Sequence, residues 1–281
     1  MEIGNALFDQ QRYKEALEIF DHILAQEPLH VEGLMMRGIT KHALLDIDGA
    51  LIDLDRAIEL DGRHDNAYYN RALIKEEQGD FAAAKIDVEC AIACYHGDSY
   101  EYLAAAFDLS QRLKHYEDIE FYMRKLARLE PDMLGIDDNI GLAKLGQGAY
   151  EDALPYLNRA LSQRPTHAIA YNNVGYAYCM LKEYNKAIPY FNTAIKYDPE
   201  FAYAYANRGQ AKFELGGVDI ALNDIEYSLE LDPGNGDAYH TRARIHLALG
   251  NKEQAQADFA LAETLGHEWP NLADKGLTAD K

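Results

Sequence analysis

A 34-residue period organises this chain. Residues 168–201 read AIAYNNVGYAYCMLKEYNKAIPYFNTAIKYDPEF, and the next 34 residues read AYAYANRGQAKFELGGVDIALNDIEYSLELDPGN. Gly175 recurs as Gly209, and Pro199 recurs as Pro233. A fixed period of roughly 20 to 50 residues indicates stacked copies of one small structural unit. The chain is therefore expected to be a continuous stack and not an ordinary globular domain.

The small residues of the period indicate what each unit is. With Gly175 taken as position 8, Gly or Ala recurs at positions 8, 20 and 27, and Pro often stands at position 32. Small residues let two antiparallel helices approach closely, and Pro cannot continue a helix. The pattern resembles the tetratricopeptide repeat, in about eight copies that cover nearly the whole chain. The resemblance implies an all-α fold, a right-handed α-solenoid of antiparallel helix pairs.

The repeats divide into segments of different character. Repeats one to three occupy residues 1–98 and form an acidic half, whereas repeats five to eight occupy residues 134–266. Residues 99–133 form a degenerate fourth repeat that lacks Gly at position 8 and is 35 residues long. We expect there either a bend in the stack or an ordinary repeat with one extra loop residue near Leu113–His115.

The two ends of the chain carry separate expectations. Residues 267–281 are expected to be a C-terminal cap and tail, in which Trp269 and Leu272 cover the last helix pair, since a stack needs a polar end. At the other end, Met1 enters the repeat about four positions late. The first ten residues do not form a secretory signal, but the late entry leaves room for a removed leader or an earlier segment.

Composition restricts the classes of partner. The formal net charge is −20, and residues 1–140 carry 14 Lys and Arg against 29 Asp and Glu. An acidic surface repels nucleic acid and anionic membranes; it favours cationic partners or serves solubility alone. The chain has no apolar run of about 18 residues, so we expect no membrane-spanning helix. Its three cysteines form no disulfide framework, which indicates a reducing compartment and hence a cytoplasmic location.

Two positions of the repeat change together within the chain. Position 7 is Arg in four repeats, and position 23 is Asp in the same four. Arg can bind a carboxylate through two parallel hydrogen bonds, so we predict an ion pair between the two helices of each of these repeats. Repeats five and six have apolar residues at position 7 and Tyr at position 23. The predicted pairs are Arg37–Asp53, Arg71–Asp87, Arg208–Asp224 and Arg242–Asp258.

The sequence indicates no catalytic or metal chemistry. Cys90 and Cys94 lie four residues apart on a predicted second helix, with His96 just beyond, but a zinc site needs further ligands at a suitable spacing. Packing therefore explains the two thiols better than metal binding does. Phosphate-binding, nucleophile-elbow and zinc-protease motifs are missing from the sequence. We expect a protein that is not an enzyme and that has no cofactor and no metal.

The resemblance also implies a ligand site. In this family the first helix of each pair lines the concave wall, with positions 2, 5, 6, 9, 12 and 13 facing the groove. Asn recurs at position 6, and an amide can both donate to and accept from the backbone of an extended peptide. Aromatic residues beside it provide apolar contact area. The candidate peptide-binding residues are Asn70, Glu76, Glu77, Asn139, Asn172, Asn173, Tyr176, Tyr203, Asn207, Gln210 and Phe213.

The sequence does not support the carboxylate clamp of the chaperone-binding members of this family. That clamp needs Lys at position 5 of one repeat and Lys at position 2 of another, and neither occurs here. We therefore predict an interaction scaffold or adaptor that binds an extended peptide segment in its concave groove, with Lys- or Arg-bearing segments preferred by the acidic half. The alternative is a self-associating or spacing scaffold that uses its outer face or its ends.

Overall fold

The computed structural model describes residues 1–266, over which the chain forms 16 α-helices. The cap predicted around Trp269 and Leu272 lies outside the described residues. The helices are α1 (Glu2–Asp9), α2 (Tyr13–Gln26), α3 (Val31–Ala43), α4 (Ile47–Leu60), α5 (Asp65–Glu77), α6 (Phe81–Cys94), α7 (Tyr100–Arg112), α8 (Tyr116–Leu129), α9 (Ile136–Gly146), α10 (Tyr150–Gln163), α11 (Ala168–Met180), α12 (Tyr184–Tyr197), α13 (Ala202–Glu214), α14 (Val218–Leu231), α15 (Gly236–Ala248) and α16 (Lys252–Thr264).

The helices form consecutive pairs, with odd-numbered first helices and even-numbered second helices. A second helix also packs on the first helix that follows it in the chain. This holds for α2, α4, α6, α10, α12 and α14. Some first helices also contact the first helix of the next pair: α3 contacts α5, α11 contacts α13, and α13 contacts α15. The predicted all-α solenoid of helix pairs is confirmed.

A three-residue loop joins the two helices of every pair, and its middle residue has a positive φ in all eight loops. In the third pair, the N–H of Gly79 donates to the carbonyl of Glu76 and the N–H of Asp80 donates to that of Lys75. These two bonds satisfy carbonyls that the end of α5 would otherwise leave without partners. Four loops use Gly at the middle position, whereas Leu45 and three polar residues adopt the same conformation at a modest cost.

Close approach of the paired helices explains the Gly at position 8. A Cβ added to Gly175 would lie 2.6 Å from the ring of Phe191, and one added to Gly141 would lie 2.6 Å from Leu157. Both large side chains occupy position 24 and are fully buried. The small residues at positions 20 and 27, such as Ala187 and Ala194, are fully buried as well. The structural reason given for the sequence pattern is therefore confirmed.

The predicted ion pairs between paired helices are all present. Arg71 binds Asp87 through two hydrogen bonds, from Nε at 2.8 Å and from Nη2 at 2.6 Å. Oδ2 of Asp87, which accepts from Nε, also accepts from Nζ of Lys75 at 2.6 Å. The hydrogen bonds to Asp87 raise the pKa of the Arg71 guanidinium, which stays charged. The other three pairs repeat the two-bond geometry.

The same arginines also link neighbouring repeats. Nη1 of Arg71 donates to Asp55 on α4 at 2.6 Å, and Nη1 of Arg208 donates to Asn192 on α12 at 2.8 Å. Both acceptors occupy position 25 of the preceding repeat. The Arg71 guanidinium also lies 5.5 Å from the ring centroid of Tyr68, at position 4. One Arg therefore stabilises its own helix pair and the contact with the pair before it.

In repeat four the extra residue lies at a different place from the predicted one. The loop Leu113–His115 has the usual three residues, so the prediction of an insertion there is wrong. The connection between α6 and α7, residues 95–99, has five residues, whereas those before α3, α5 and α11 have four. In this register Phe107 occupies position 8 and Ile119 occupies position 20. Larger side chains thus stand at both crossing points of this pair.

The chain divides into two compact units, the first formed by Met1–Ile136 and the second beginning at Asp137. The sequence-derived segment boundary lies three residues earlier, between residues 133 and 134. The predicted bend in the fourth repeat stays a prediction. Among residues 1–266, no helix is both long and apolar enough to span a lipid bilayer.

Candidate peptide-binding face

The second unit presents one side of its first helices to solvent. Positions 2, 6, 9 and 13 of a helix lie on one side because they are separated by three or four residues. In α11 and α13, which contact each other, these positions hold apolar, amide and aromatic residues and one Glu. We call this surface the first-helix face. Its members are Asn139 and Leu142 on α9; Ile169, Asn173, Tyr176 and Met180 on α11; and Tyr203, Asn207, Gln210 and Glu214 on α13.

Large apolar side chains on this face are exposed. The exposed fractions are 45% for Leu142, 53% for Ile169, 40% for Met180 and 50% for Tyr203. In the first unit, by contrast, no large apolar side chain at position 2, 6, 9 or 13 of α1, α3, α5 or α7 is exposed. A group of exposed apolar side chains on one surface is typical of a contact site for another molecule.

The amides on α11 and α13 form one direct link. Nδ2 of Asn207 donates to Oδ1 of Asn172 at 2.9 Å. Asn172 at position 5 is only 8% exposed, so it is not accessible in the way that its assignment to the site requires. Its hydrogen bond instead fixes the orientation of the Asn207 amide. Asn173, one residue further on, is partly exposed.

The remaining predicted residues of the second unit differ in their surroundings. Tyr176 makes an edge-to-face contact with Tyr150, with ring centroids 6.4 Å apart, and is partly buried. Asn139 is also partly buried and follows Asp138, whose carboxylate is bound by Arg164 and His167. Gln210, which lies two turns after Tyr203 on α13, is partly exposed.

At the end of this face nearest α15, opposite charges cancel. Arg244 binds the carboxylate of Glu214 at 2.9 Å, and its guanidinium lies 5.2 Å from the ring centroid of Phe213. Phe213, at position 12, is therefore covered in part by a cation. The first-helix face of the second unit thus offers amides and apolar groups, with little uncompensated charge.

The acidic residues predicted for the first unit are largely paired. Glu77 lies 2.7 Å from Nε2 of His42, and Glu76 lies 3.7 Å from Nε of Arg112. Asn70 donates its amide to the carbonyl of Asn66 in its own helix at 2.8 Å. The row of asparagines is therefore not uniform, because this amide is turned toward α5 itself.

The thiols show no arrangement typical of metal binding or catalysis. Burial raises the pKa of Cys90 and Cys94, and it raises the pKa of Cys179 to about 12. A nucleophilic thiol has a lowered pKa instead. Over residues 1–266, no group of three or more His, Cys, Asp and Glu side chains is placed to hold a metal ion.

Comparisons with known proteins agree with this architecture. Four segments match the family described as tetratricopeptide repeat, residues 1–44, 65–93, 132–200 and 225–257. No curated protein sequence matches the chain.

Several solved structures are similar in fold. A tetratricopeptide repeat protein from Parabacteroides merdae is 22% identical, with a TM-score of 0.67, over 88% of this chain and 96% of that one. A structure described as Naa15/Naa10 bound to HypK-THB is 15% identical, with a TM-score of 0.63, over 96% of this chain and 42% of that one. The APC/C hetero-tetramer Cut9-Hcn1 is 16% identical, with a TM-score of 0.50, over 86% of this chain and 48% of that one. The chain belongs to the tetratricopeptide repeat family of protein-interaction scaffolds.

Proposed function

We propose that the protein is an adaptor that binds an extended segment of a partner protein on the first-helix face of its second unit. The observation that carries this proposal is the exposure of Ile169, Met180 and Tyr203 beside the amides of Asn173 and Asn207. Apolar surface that stays in contact with water is stabilised when a ligand covers it, by roughly 25 cal/mol per Å².

An extended ligand suits this arrangement of side chains. Successive side chains of an extended chain point to opposite sides, so every second one faces the protein. Its backbone N–H and C=O groups lie at the edges, where amides such as Asn173 can pair with either of them. Tyr203 and Ile169 then provide the apolar contacts. Amides would position the backbone, and apolar contacts would select the side chains.

The chemistry of the face favours apolar segments over charged ones. Glu214 is the acidic member of the face, and Arg244 already binds it. The preference for Lys or Arg inferred from composition therefore applies to the first unit alone. There Glu77 is the better candidate, because its side chain is 63% exposed, against 28% for Glu76.

Two proteins of similar fold were solved as complexes. One is bound to HypK-THB, and the other is the hetero-tetramer Cut9-Hcn1. At 15% and 16% identity this likeness concerns the fold. It is compatible with a partner protein for this chain, but the proposal rests on the exposed residues themselves.

The proposal can be tested without knowledge of the natural partner. A phage-displayed library of random peptides of roughly 12 residues, long enough to span about 40 Å when extended, is selected on the full chain. We expect apolar consensus peptides that bind wild-type protein and lose affinity for Tyr203→Asp. A matched control is Tyr227→Asp, at an exposed tyrosine of the second helix α14. Selection of no peptide, or of peptides that bind both variants equally, would contradict the proposal.

A further inference from the structure

One side chain of the first-helix face can be oxidised. Met180 occupies position 13, in the last turn of α11, and is 40% exposed. Cys179, the residue before it, is 9% exposed and belongs to a core cluster with Phe191 and Ala211. Successive residues of a helix are turned by about 100°. The thiol of Cys179 is therefore buried, whereas the thioether of Met180 is in contact with water.

The other five methionines are less exposed. All six methionines lie within residues 1–266. Met35 is 5% exposed and Met123 is fully buried. Those that are partly buried are Met1, Met36 and Met133. Oxidation needs contact between the sulfur and the oxidant, so exposure decides which methionine reacts first. An oxidant in solution therefore reaches Met180 ahead of the others.

The thiols of the chain compete weakly for an oxidant. A thiol reacts as its thiolate, and burial raises the pKa of Cys90, Cys94 and Cys179. A thioether has no proton to lose, so its reaction needs no deprotonation. Near pH 6 the three thiols are almost wholly protonated. Oxidation at that pH therefore favours Met180.

Met180 lies within reach of a ligand that also contacts the first turn of α11. Ile169 precedes it by 11 residues, and Asn173 lies between them on the same side of the helix. This separation corresponds to a rise of roughly 16 Å, which about five residues of extended chain can span. A peptide that contacts Ile169 and Asn173 can therefore place an apolar side chain on Met180. The flexible thioether adapts to apolar partners of different shape.

We propose that Met180 is an oxidation site through which a hydroperoxide switches off peptide binding at the first-helix face. The inference rests on the proposed function, since it concerns the regulation of the same face. The sulfur attacks the terminal oxygen of the hydroperoxide, the O–O bond breaks and an S–O bond forms. The other oxygen takes up the proton and leaves as water or, from an organic hydroperoxide, as an alcohol. The sulfur loses two electrons, and the peroxide gains them.

The sulfoxide changes the chemical character of this part of the face. It is polar and accepts hydrogen bonds, whereas the thioether is apolar. An apolar ligand side chain offers the sulfoxide oxygen no donor, so covering it removes the hydrogen bonds that this oxygen makes with water. The exposed side chain contributes little to the core, so the fold should keep its stability. Oxidation of Met180 should thus weaken binding without unfolding the chain.

Partial oxidation of the full chain with hydrogen peroxide at pH 6 tests the proposal. After the peroxide is removed, peptide mapping by mass spectrometry should find the sulfoxide first at Met180, and urea unfolding should show unchanged stability. The affinity for an apolar peptide without Met or Cys, selected on the untreated protein, should fall on the order of tenfold. Earlier oxidation of another methionine, or full affinity of a chain oxidised at Met180, would overturn the proposal.

Two substitutions separate Met180 from the other oxidisable groups. Met180→Leu retains an apolar side chain of similar volume and all three cysteines. Whatever affinity this variant has before treatment, it should keep that affinity after peroxide. Met36→Leu, at a partly buried position on α3, retains Met180 and should lose affinity on oxidation as wild type does. An equal loss of affinity in oxidised Met180→Leu would assign the effect to another group and contradict the proposal.

Reduction identifies the modification. Dithiothreitol alone reverses oxidised thiols, whereas a methionine sulfoxide needs the two methionine sulfoxide reductases, one for each epimer. Affinity should therefore return with the reductases, and its return with dithiothreitol alone would contradict the proposal. If untreated protein binds no selected peptide, the proposed function fails and this switch fails with it. If untreated protein binds and the sulfoxide at Met180 changes nothing, the proposed function stands and this inference alone is refuted.

Discussion

Arg208 on α13 binds Asp224 on α14 through two parallel hydrogen bonds, from Nε to Oδ2 at 2.8 Å and from Nη2 to Oδ1 at 2.7 Å. Lys212 donates to Oδ2 of the same carboxylate at 2.7 Å. The carboxylate side chain is only 9% exposed, so its charge depends on these partners. The ion pair links the two helices of its repeat. At the same two positions, 7 and 23, repeats five and six have an apolar residue and a Tyr instead.

The first prediction replaces the Arg–Asp pair of repeat seven by the Ile–Tyr combination that repeat five has at the same positions. Arg208→Ile leaves the Asp224 carboxylate with Lys212 alone and should lower the free energy of unfolding by about 2 to 3 kcal/mol. Adding Asp224→Tyr recreates the combination of Ile140 and Tyr156 in repeat five, and it should recover most of that loss. Urea unfolding measures both changes. A double variant no more stable than the single one would show that the two positions are not a unit.

A second prediction concerns the crossing point of α11 and α12. The Cβ of Gly175→Ala would meet the ring of Phe191, so we expect a loss of about 1 to 3 kcal/mol despite the better helix propensity of Ala. Repeat three already combines Ala72 with Val88 at these positions. Combining Gly175→Ala with Phe191→Val should therefore cost less than the sum of the two single changes. Strict additivity in denaturant unfolding would contradict this steric account.

The three thiols should differ in reactivity. Burial raises the pKa of Cys179 to about 12, so little thiolate forms there at pH 8, whereas Cys90 and Cys94 are partly exposed. Treatment of the native protein with iodoacetamide at pH 8, followed by mass spectrometry, should modify Cys90 and Cys94 well before Cys179. In denaturant all three should react alike. Rapid modification of Cys179 in the native state would show that the core around α11 opens readily.

Salt dependence separates the two proposed kinds of ligand contact. A peptide selected on the first-helix face should keep its affinity within about threefold between 50 mM and 300 mM salt, because apolar contacts are screened little. Glu76→Lys with Glu77→Lys should leave that affinity unchanged, since both residues belong to the first unit. A ligand rich in Lys or Arg should instead weaken with salt and with this double change. If neither ligand responds to the double change, the electrostatic preference of the first unit is refuted.

Periodicity was sufficient to predict the helix pairs and the links within them. Gly175 and Gly209 set the register, and the joint change of positions 7 and 23 identified Asp87 as the partner of Arg71. The sequence did not indicate the second acceptor of Arg71, because Asp55 belongs to the preceding repeat and that position varies. Links within one repeat recur at a fixed spacing, whereas links between repeats depend on the angle at which pairs stack.

The sequence predicts the surroundings of the candidate site residues less well than it predicts the fold. Position 5 lies at the margin of the exposed side, so Asn172 is buried there and accepts a hydrogen bond from Asn207. In repeat four both Gly at position 8 and Ala at position 20 are replaced, so the sequence alone could not place the extra residue. The pairing of Glu77 with His42 could not be inferred either, since the two residues belong to different repeats.

The central claim is that amides on the first-helix face bind the backbone of an extended segment. Calorimetric titration of a selected apolar peptide onto Asn173→Ala with Asn207→Ala tests it most directly, with Asn173→Ala alone as a control that leaves the bond to Asn172 intact. Each lost hydrogen bond should cost about 1 kcal/mol, so the double variant should bind roughly tenfold to thirtyfold more weakly, whatever the peptide's side chains. Wild-type affinity in the double variant would contradict the claim.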